Sequence, residues 1–289
     1  MSPSITITEP GIAGEKRYPL IQLPALVKAI EPYGDLFVRT DHRHWFTGYL
    51  WGLINTPGRK TIEAIARSLP SELAIGSSPA QSLHHFLNQS AWDEESVLAR
   101  LRGLLDAHDD GNAYWVVHEV ALPKRGKHSV GVHRQMDRRQ GVKASSQTII
   151  AIARVETAGY QPLAMRLYLP RGWLREASDR QIAQIPEAHR DAVGKDQIAS
   201  QLLSDLDRLN RPKFLVVPSE LGGSEQLTDW ARKHGVSLQK EGSPLRQAQA
   251  GELILKESLG LDHFEGRSWI GFHRHLACVS VACACLEAT

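Results

Sequence analysis

From Leu20 to His108, apolar residues recur at three- and four-residue spacing, the period of helices with one buried face. Ile62, Ile65, Ala66 and Leu69 make one stripe, and Val97, Leu98, Leu101, Leu104 and Leu105 another. Ser90 and Asp93, just ahead of the second stripe, form an N-terminal capping signal. The pattern predicts an all-helical domain over residues 1–110. The turn cluster Asp109-Asp110-Gly111-Asn112 closes it, and the period then becomes two. AYWVVHEVA (Ala113 to Ala121), HSVGVHR (His128 to Arg134), TIIAIARVE (Thr148 to Glu156) and AMRLYLP (Ala164 to Pro170) read as strands. Gly159 to Pro162 reads as the turn between the last two. A helix over Asp196 to Leu209 follows, then a buried strand (Lys213 to Ser219), an amphipathic helix (Ser224 to Gly235) and a weaker strand (Val236 to Gln239). The stretch from Gly251 to Ala288 predicts two helices broken near Gly260. Strands first, then strands alternating with helices, give an α/β (α+β) second domain over residues 111–289: a mixed sheet with an appended βα unit.

Composition narrows this picture a little. The chain is 42% apolar, in keeping with a globular core, and 34 Lys+Arg against 32 Asp+Glu leave any nucleic-acid surface to local clustering. Cys278, Cys283 and Cys285 all fall in the apolar run from Leu276 to Leu286, a spacing that suits neither a zinc site nor a disulfide framework. They read as small apolar residues of a buried helix in a reduced compartment. The N-terminal text has no basic region leading into an apolar one, and no run of about 18 apolar residues occurs, so the expectation is a cytoplasmic protein without membrane contact.

Five strings then appear in order: YLWGLINTPGRKTIEAIA (Tyr49 to Ala66), QSLHHFLNQSAWDEESVL (Gln81 to Leu98), LPKRGKHSVGVHRQ (Leu122 to Gln135), LYLPRGW (Leu167 to Trp173) and LGLDHFEGRSWIGFHRH (Leu259 to His275). Together they resemble the insertion-sequence 701 family of DDE transposases. The resemblance implies a helical DNA-binding region followed by an RNase H-like five-stranded mixed sheet with flanking helices. It also implies cutting and joining of double-stranded DNA by two divalent ions, held by two aspartates and a glutamate. Mg²⁺ is a hard ion that prefers oxygen ligands, and two adjacent dications need compensating negative charge.

At the positions that the resemblance assigns to those acids, this chain differs. In VVHEVALPKRGKHS (Val116 to Ser129), His118 stands where the family has its first aspartate, with Glu119 beside it. In VVPSELGG (Val216 to Gly223), Ser219 takes the second aspartate's place, followed by Glu220. The third acid is matched by Glu265. An imidazole and a neutral hydroxyl remove two negative charges, so two-metal strand transfer is expected to be lost and no resident cofactor is expected. A shift of one residue would restore acids at Glu119 and Glu220, with Mg²⁺ or Mn²⁺ held by them and Glu265. Against it, neighbouring strand residues point to opposite faces.

Three functions therefore stand open: a domesticated transposase-like DNA-binding scaffold, a scaffold recruited to a small-molecule reaction at His118, Glu119, Ser219 and Glu265, and a nuclease working through the shifted glutamates. Lys124, Arg125, Lys127, Arg134, Arg138 and Arg139 crowd one hairpin, which the resemblance places beside the active site and which reads as a phosphate-contacting surface. Arg59 and Lys60 open a predicted helix, either as phosphate contacts or as solvated charges. Of the 13 histidines, His128, His263, His273 and His275 lie in family-like strings and are expected to pack or hydrogen-bond, while His118 and His133 look like departures. GxGxxG, P-loop, GxSxG and HExxH strings are absent.

Overall fold

A computed structural model describes residues 20–107, 113–126, 128–137, 141–156, 159–174 and 183–287. The expected turn cluster at 109–112 lies outside them, as do Lys127, Arg138 and Arg139. The first half is helical as its period predicts: α1 (Leu23–Ile30), a 3-10 turn (Glu31–Leu36), α2 (Thr40–Asn55), α3 (Ile62–Ser68), α4 (Pro79–Asn88) and α5 (Glu94–Asp106). Thr61, Ser78 and Asp93 cap α3, α4 and α5 by accepting the N–H of Ala64, Gln81 and Ser96. The expected Ser90–Asp93 capping pair is thus only half right, because the Ser90 hydroxyl is 3.0 Å from His85 Nδ1. Gly52 lets α2 and α3 touch: a Cβ there would lie 2.2 Å from Ile65 Cγ2.

The sheet is mixed. Its central strand β1 (Tyr114–Pro123) pairs antiparallel with β3 (Val142–Val155) and parallel with β5 (Phe214–Val216), which pairs parallel with β6 (Ser237–Gln239). The long β3 takes β2 (His133–Asp137) along its first part and β4 (Tyr160–Tyr168) along its second. Helices α6 (Lys195–Asp205), α7 (Glu225–His234), α8 (Ser243–Leu259) and α9 (Trp269–Glu287) complete the chain. The result is a mixed sheet with flanking helices, six-stranded where five were expected.

Two strand boundaries move. Only His133 and Arg134 of the HSVGVHR string are in β2, and Tyr160 to Pro162 belong to β4 instead of to a turn. Proline has no N–H for a ladder, yet β4 pairs only with β3, and the register slips beside Pro162 between Ile152 and Ala153. An edge strand with a bulge accommodates it.

Alternation along β1 separates two packed faces. Trp115 and Val117 join Leu203 and Trp230 under α6 and α7, whereas Val116, Val120 and Leu122 face Leu255, Leu259 and Leu276 of α8 and α9. That second cluster runs without interruption into Phe46, Phe86 and Trp92 of the helical half. α9 is the shared element, packing on α2, α4, α5, α8 and β4. By length and composition it could cross a membrane, but 89% of that stretch is buried inside the protein. Its three cysteines are buried, as expected of core residues.

Candidate functional site

His118 lies in the middle of β1, on the α8 and α9 side, and is 3% exposed. Its Nε2 is 3.2 Å from the Tyr160 hydroxyl on β4, and its Nδ1 faces Glu252 Oε2 of α8 at 3.7 Å. A carboxylate only accepts, so the Nδ1 side favours the proton and Nε2 accepts from Tyr160. The other Glu252 oxygen takes the Lys256 ammonium, one helical turn on, and Lys256 also donates to the Ala121 carbonyl of β1 at 2.7 Å. Burial alone would raise the Glu252 carboxyl, but His118 and Lys256 outweigh it and hold it below the ordinary glutamate range. Burial pushes the Tyr160 phenol well up. α8 reaches this depth because position 251 is glycine: a Cβ there would sit 2.0 Å from Tyr160 Cγ.

The other residues expected in the site take separate partners. Glu119 points to the opposite face of β1, where Lys195 Nζ meets it at 2.7 Å. Ser219 Oγ donates to Glu241 at 3.0 Å, and Glu220 is exposed. Glu265 is exposed and pairs with Arg59 at 2.9 Å. Among the described residues, no three His, Cys, Asp or Glu side chains converge as a metal would require. The donors at His118 do not suit Mg²⁺ either: one imidazole is committed to Tyr160, and one carboxylate is already neutralised by an ammonium. Nothing in the sequence marked Tyr160, Glu252 and Lys256 as partners of His118. The one local signal is the acid–base pair at i and i+4 in an otherwise apolar stretch of α8.

Two basic residues need reassignment. Lys124 is turned inward, donating to the carbonyls of Asp262 (3.1 Å) and Phe264 (2.8 Å), and burial lowers its amine to about 8. Its ammonium ties the end of β1 to the connection between α8 and α9. Lys60 is 6% exposed, bonds the Thr56 carbonyl and is likewise lowered to about 8 by burial, so it is neither a solvated charge nor a phosphate contact. Arg125 and Arg134 remain exposed. The histidines of the family-like strings are engaged internally where they are buried: His263 Nδ1 accepts from the Lys60 N–H, His273 bridges Trp269 and Leu167, and His275 bridges Tyr49 and Leu261. His128 is exposed, and His133 lies 3.0 Å from the Gly131 carbonyl.

The mixed sheet has helices on both faces and a buried polar cluster on its central strand, where the resemblance expects a catalytic acid. The profile described as DDE superfamily endonuclease matches residues 32–238, and the chain belongs to that family. Its members usually use divalent metals. The crystal structure of the Mos1 strand transfer complex is similar over 98% of this chain and 82% of that one, at 11% identity and a TM-score of 0.25. No curated protein matches.

Proposed function

We propose that the protein is a domesticated transposase of the insertion-sequence 701 type that has lost two-metal strand transfer and works in the cytoplasm as a DNA-binding scaffold. The supporting observation is His118 itself. At the position that the resemblance assigns to the first metal-binding acid, the chain carries an imidazole sealed between Tyr160 and Glu252, with the Lys256 ammonium on the same carboxylate. A buried acid that already has a resident cation gives little purchase to a dication.

Phosphate contact falls to the exposed Arg125 and Arg134, with Lys127, Arg138 and Arg139 of the same hairpin. The recruited-enzyme reading is less favoured, because His118, Glu119, Ser219 and Glu265 go to four different partners. The shifted-glutamate reading meets the same difficulty at Glu119, whose carboxylate is paired with Lys195.

The test is duplex binding measured across salt concentrations, beside nicking and strand-transfer assays in Mg²⁺ and Mn²⁺. The expected result is salt-sensitive binding with no metal-dependent cutting. Cutting that disappears in Glu119→Gln would replace this reading with the shifted-glutamate nuclease.

A further inference from the structure

Three segments meet at the connection between α8 and α9. The α2–α3 turn is fixed there by the Lys60 N–H on His263 Nδ1 at 3.0 Å, and the end of β1 by Lys124 on the Asp262 and Phe264 carbonyls. Gly260, at φ +66, makes the tight bend that allows it, since a Cβ would lie 2.8 Å from His263 Nδ1. Both lysines are thus used inside the protein, and the arginines beside them stay outside. Arg59 and Glu265 form an ion pair with side chains 52% and 56% exposed. Arg125 and Arg267 are also exposed, and neither has an ion-pair partner among the described residues.

We infer that Arg59, Arg125 and Arg267 form a contact surface for the phosphates of duplex DNA, and that Glu265 acts as its internal gate by occupying Arg59 in the free protein. The inference rests on the DNA-binding reading and adds to it a surface outside the basic hairpin and a role for Glu265 other than metal binding.

Three observations support it. The backbone on either side of the Arg59–Glu265 pair is anchored by partly buried hydrogen bonds, so the side chains can exchange partners without moving the chain. An exposed ion pair is weakly held, and a phosphate oxyanion offers a guanidinium the same paired acceptors as a carboxylate. The cations Arg59, Lys60 and Lys124 gather here: with burial as the main cause and Asp262 opposing, all three act to keep the His263 imidazole below its usual value. Charge complementarity selects a polyanion, and arginines carried by three separate segments suit the spaced phosphates of a duplex.

Fluorescence anisotropy with a labelled duplex tests the gate, using the full chain at several salt concentrations. Glu265→Gln is expected to tighten binding by about three- to ten-fold at low salt and to steepen the dependence of log K on log salt by about one unit. Arg59→Ala is expected to weaken binding, and Glu265→Gln added to it should have no further effect. Equal thermal midpoints for the variants would show that the effects come from the surface and not from unfolding. If the wild type binds and Glu265→Gln changes nothing, or acts equally with and without Arg59, the gate is overturned while the DNA-binding reading stands. If neither wild type nor Glu265→Gln binds duplex at any salt, both are overturned.

Discussion

The Tyr160 side chain packs against the α8 backbone at Gly251, so close that a methyl group there would overlap Tyr160 Cγ at 2.0 Å. This contact between an edge strand and a helix brings Glu252 up to His118. Alanine normally favours a helix over glycine by roughly 1 kcal/mol. Overpacking should win here, and Gly251→Ala should destabilise the fold by about 2 kcal/mol, read as an earlier urea midpoint. Gly103, on α5 with nothing near it, is the control, and Gly103→Ala should be neutral or stabilising.

Lys256→Met leaves the buried Glu252 carboxylate without its ammonium. Breaking one partner of a buried pair typically costs about 3–5 kcal/mol, with the lower end expected because the helix keeps some access to water. The loss should be largest at pH 8 and smaller at pH 5, because the uncompensated carboxyl then takes up a proton in the folded state. Chemical denaturation at the two pH values checks both magnitude and sign. In the wild type the depressed Glu252 contributes stability above the ordinary glutamate range, and that contribution is lost as pH falls through its folded value.

His273 and His275 are both lowered to about 3 by burial. Each keeps one nitrogen accepting, His273 from the Leu167 N–H and His275 from the Tyr49 hydroxyl, so neither takes a second proton without breaking a bond. The unfolded chain protonates them near pH 6.5, and the folded one does not. Below about 6.5, stability should fall by up to about 1.4 kcal/mol per pH unit for each, levelling off near pH 3. Urea titrations at pH 7, 6 and 5 would show the slope, and His275→Gln should reduce it even while lowering stability at pH 7.

Lys124→Met should act on folding and not on DNA. Removing the ammonium leaves the carbonyls of Asp262 and Phe264 without that donor, a loss of about 1–3 kcal/mol. Duplex affinity at fixed salt should stay within twofold, whereas Arg125→Ala should weaken it. A salt slope altered by Lys124→Met but not by Arg125→Ala would reverse these assignments.

Much of the architecture could be read from local pattern. Period and caps located the helices, the strand-rich middle was correct in order, and the buried cysteine helix was identified from composition alone. The misplacements follow from pairing that no local window contains. Pro162 looks like a turn residue until pairing with β3 places it in an edge strand, beside a bulge at Leu163. Lys60 and Lys124 look solvated until the fold buries them, Lys60 on the Thr56 carbonyl and Lys124 on those of Asp262 and Phe264. The site shows the same limit. His118 was conspicuous because its residue type broke the resemblance, while Glu252 was not, because its importance depends on a strand far away in the sequence and on the missing side chain at Gly251. The one-residue shift to Glu119 was disfavoured from strand alternation, and that carboxylate does lie on the opposite face with Lys195.

α9 is a wall common to the helical half and the sheet, and the hydrophobic cluster passes through it without a seam. Heating should therefore give one calorimetric transition, with a van't Hoff enthalpy equal to the measured one. The helical half cut away on its own would leave Phe46, Phe86 and Trp92 bare on the side that α9 had covered, so it should aggregate instead of serving as a portable DNA-binding module.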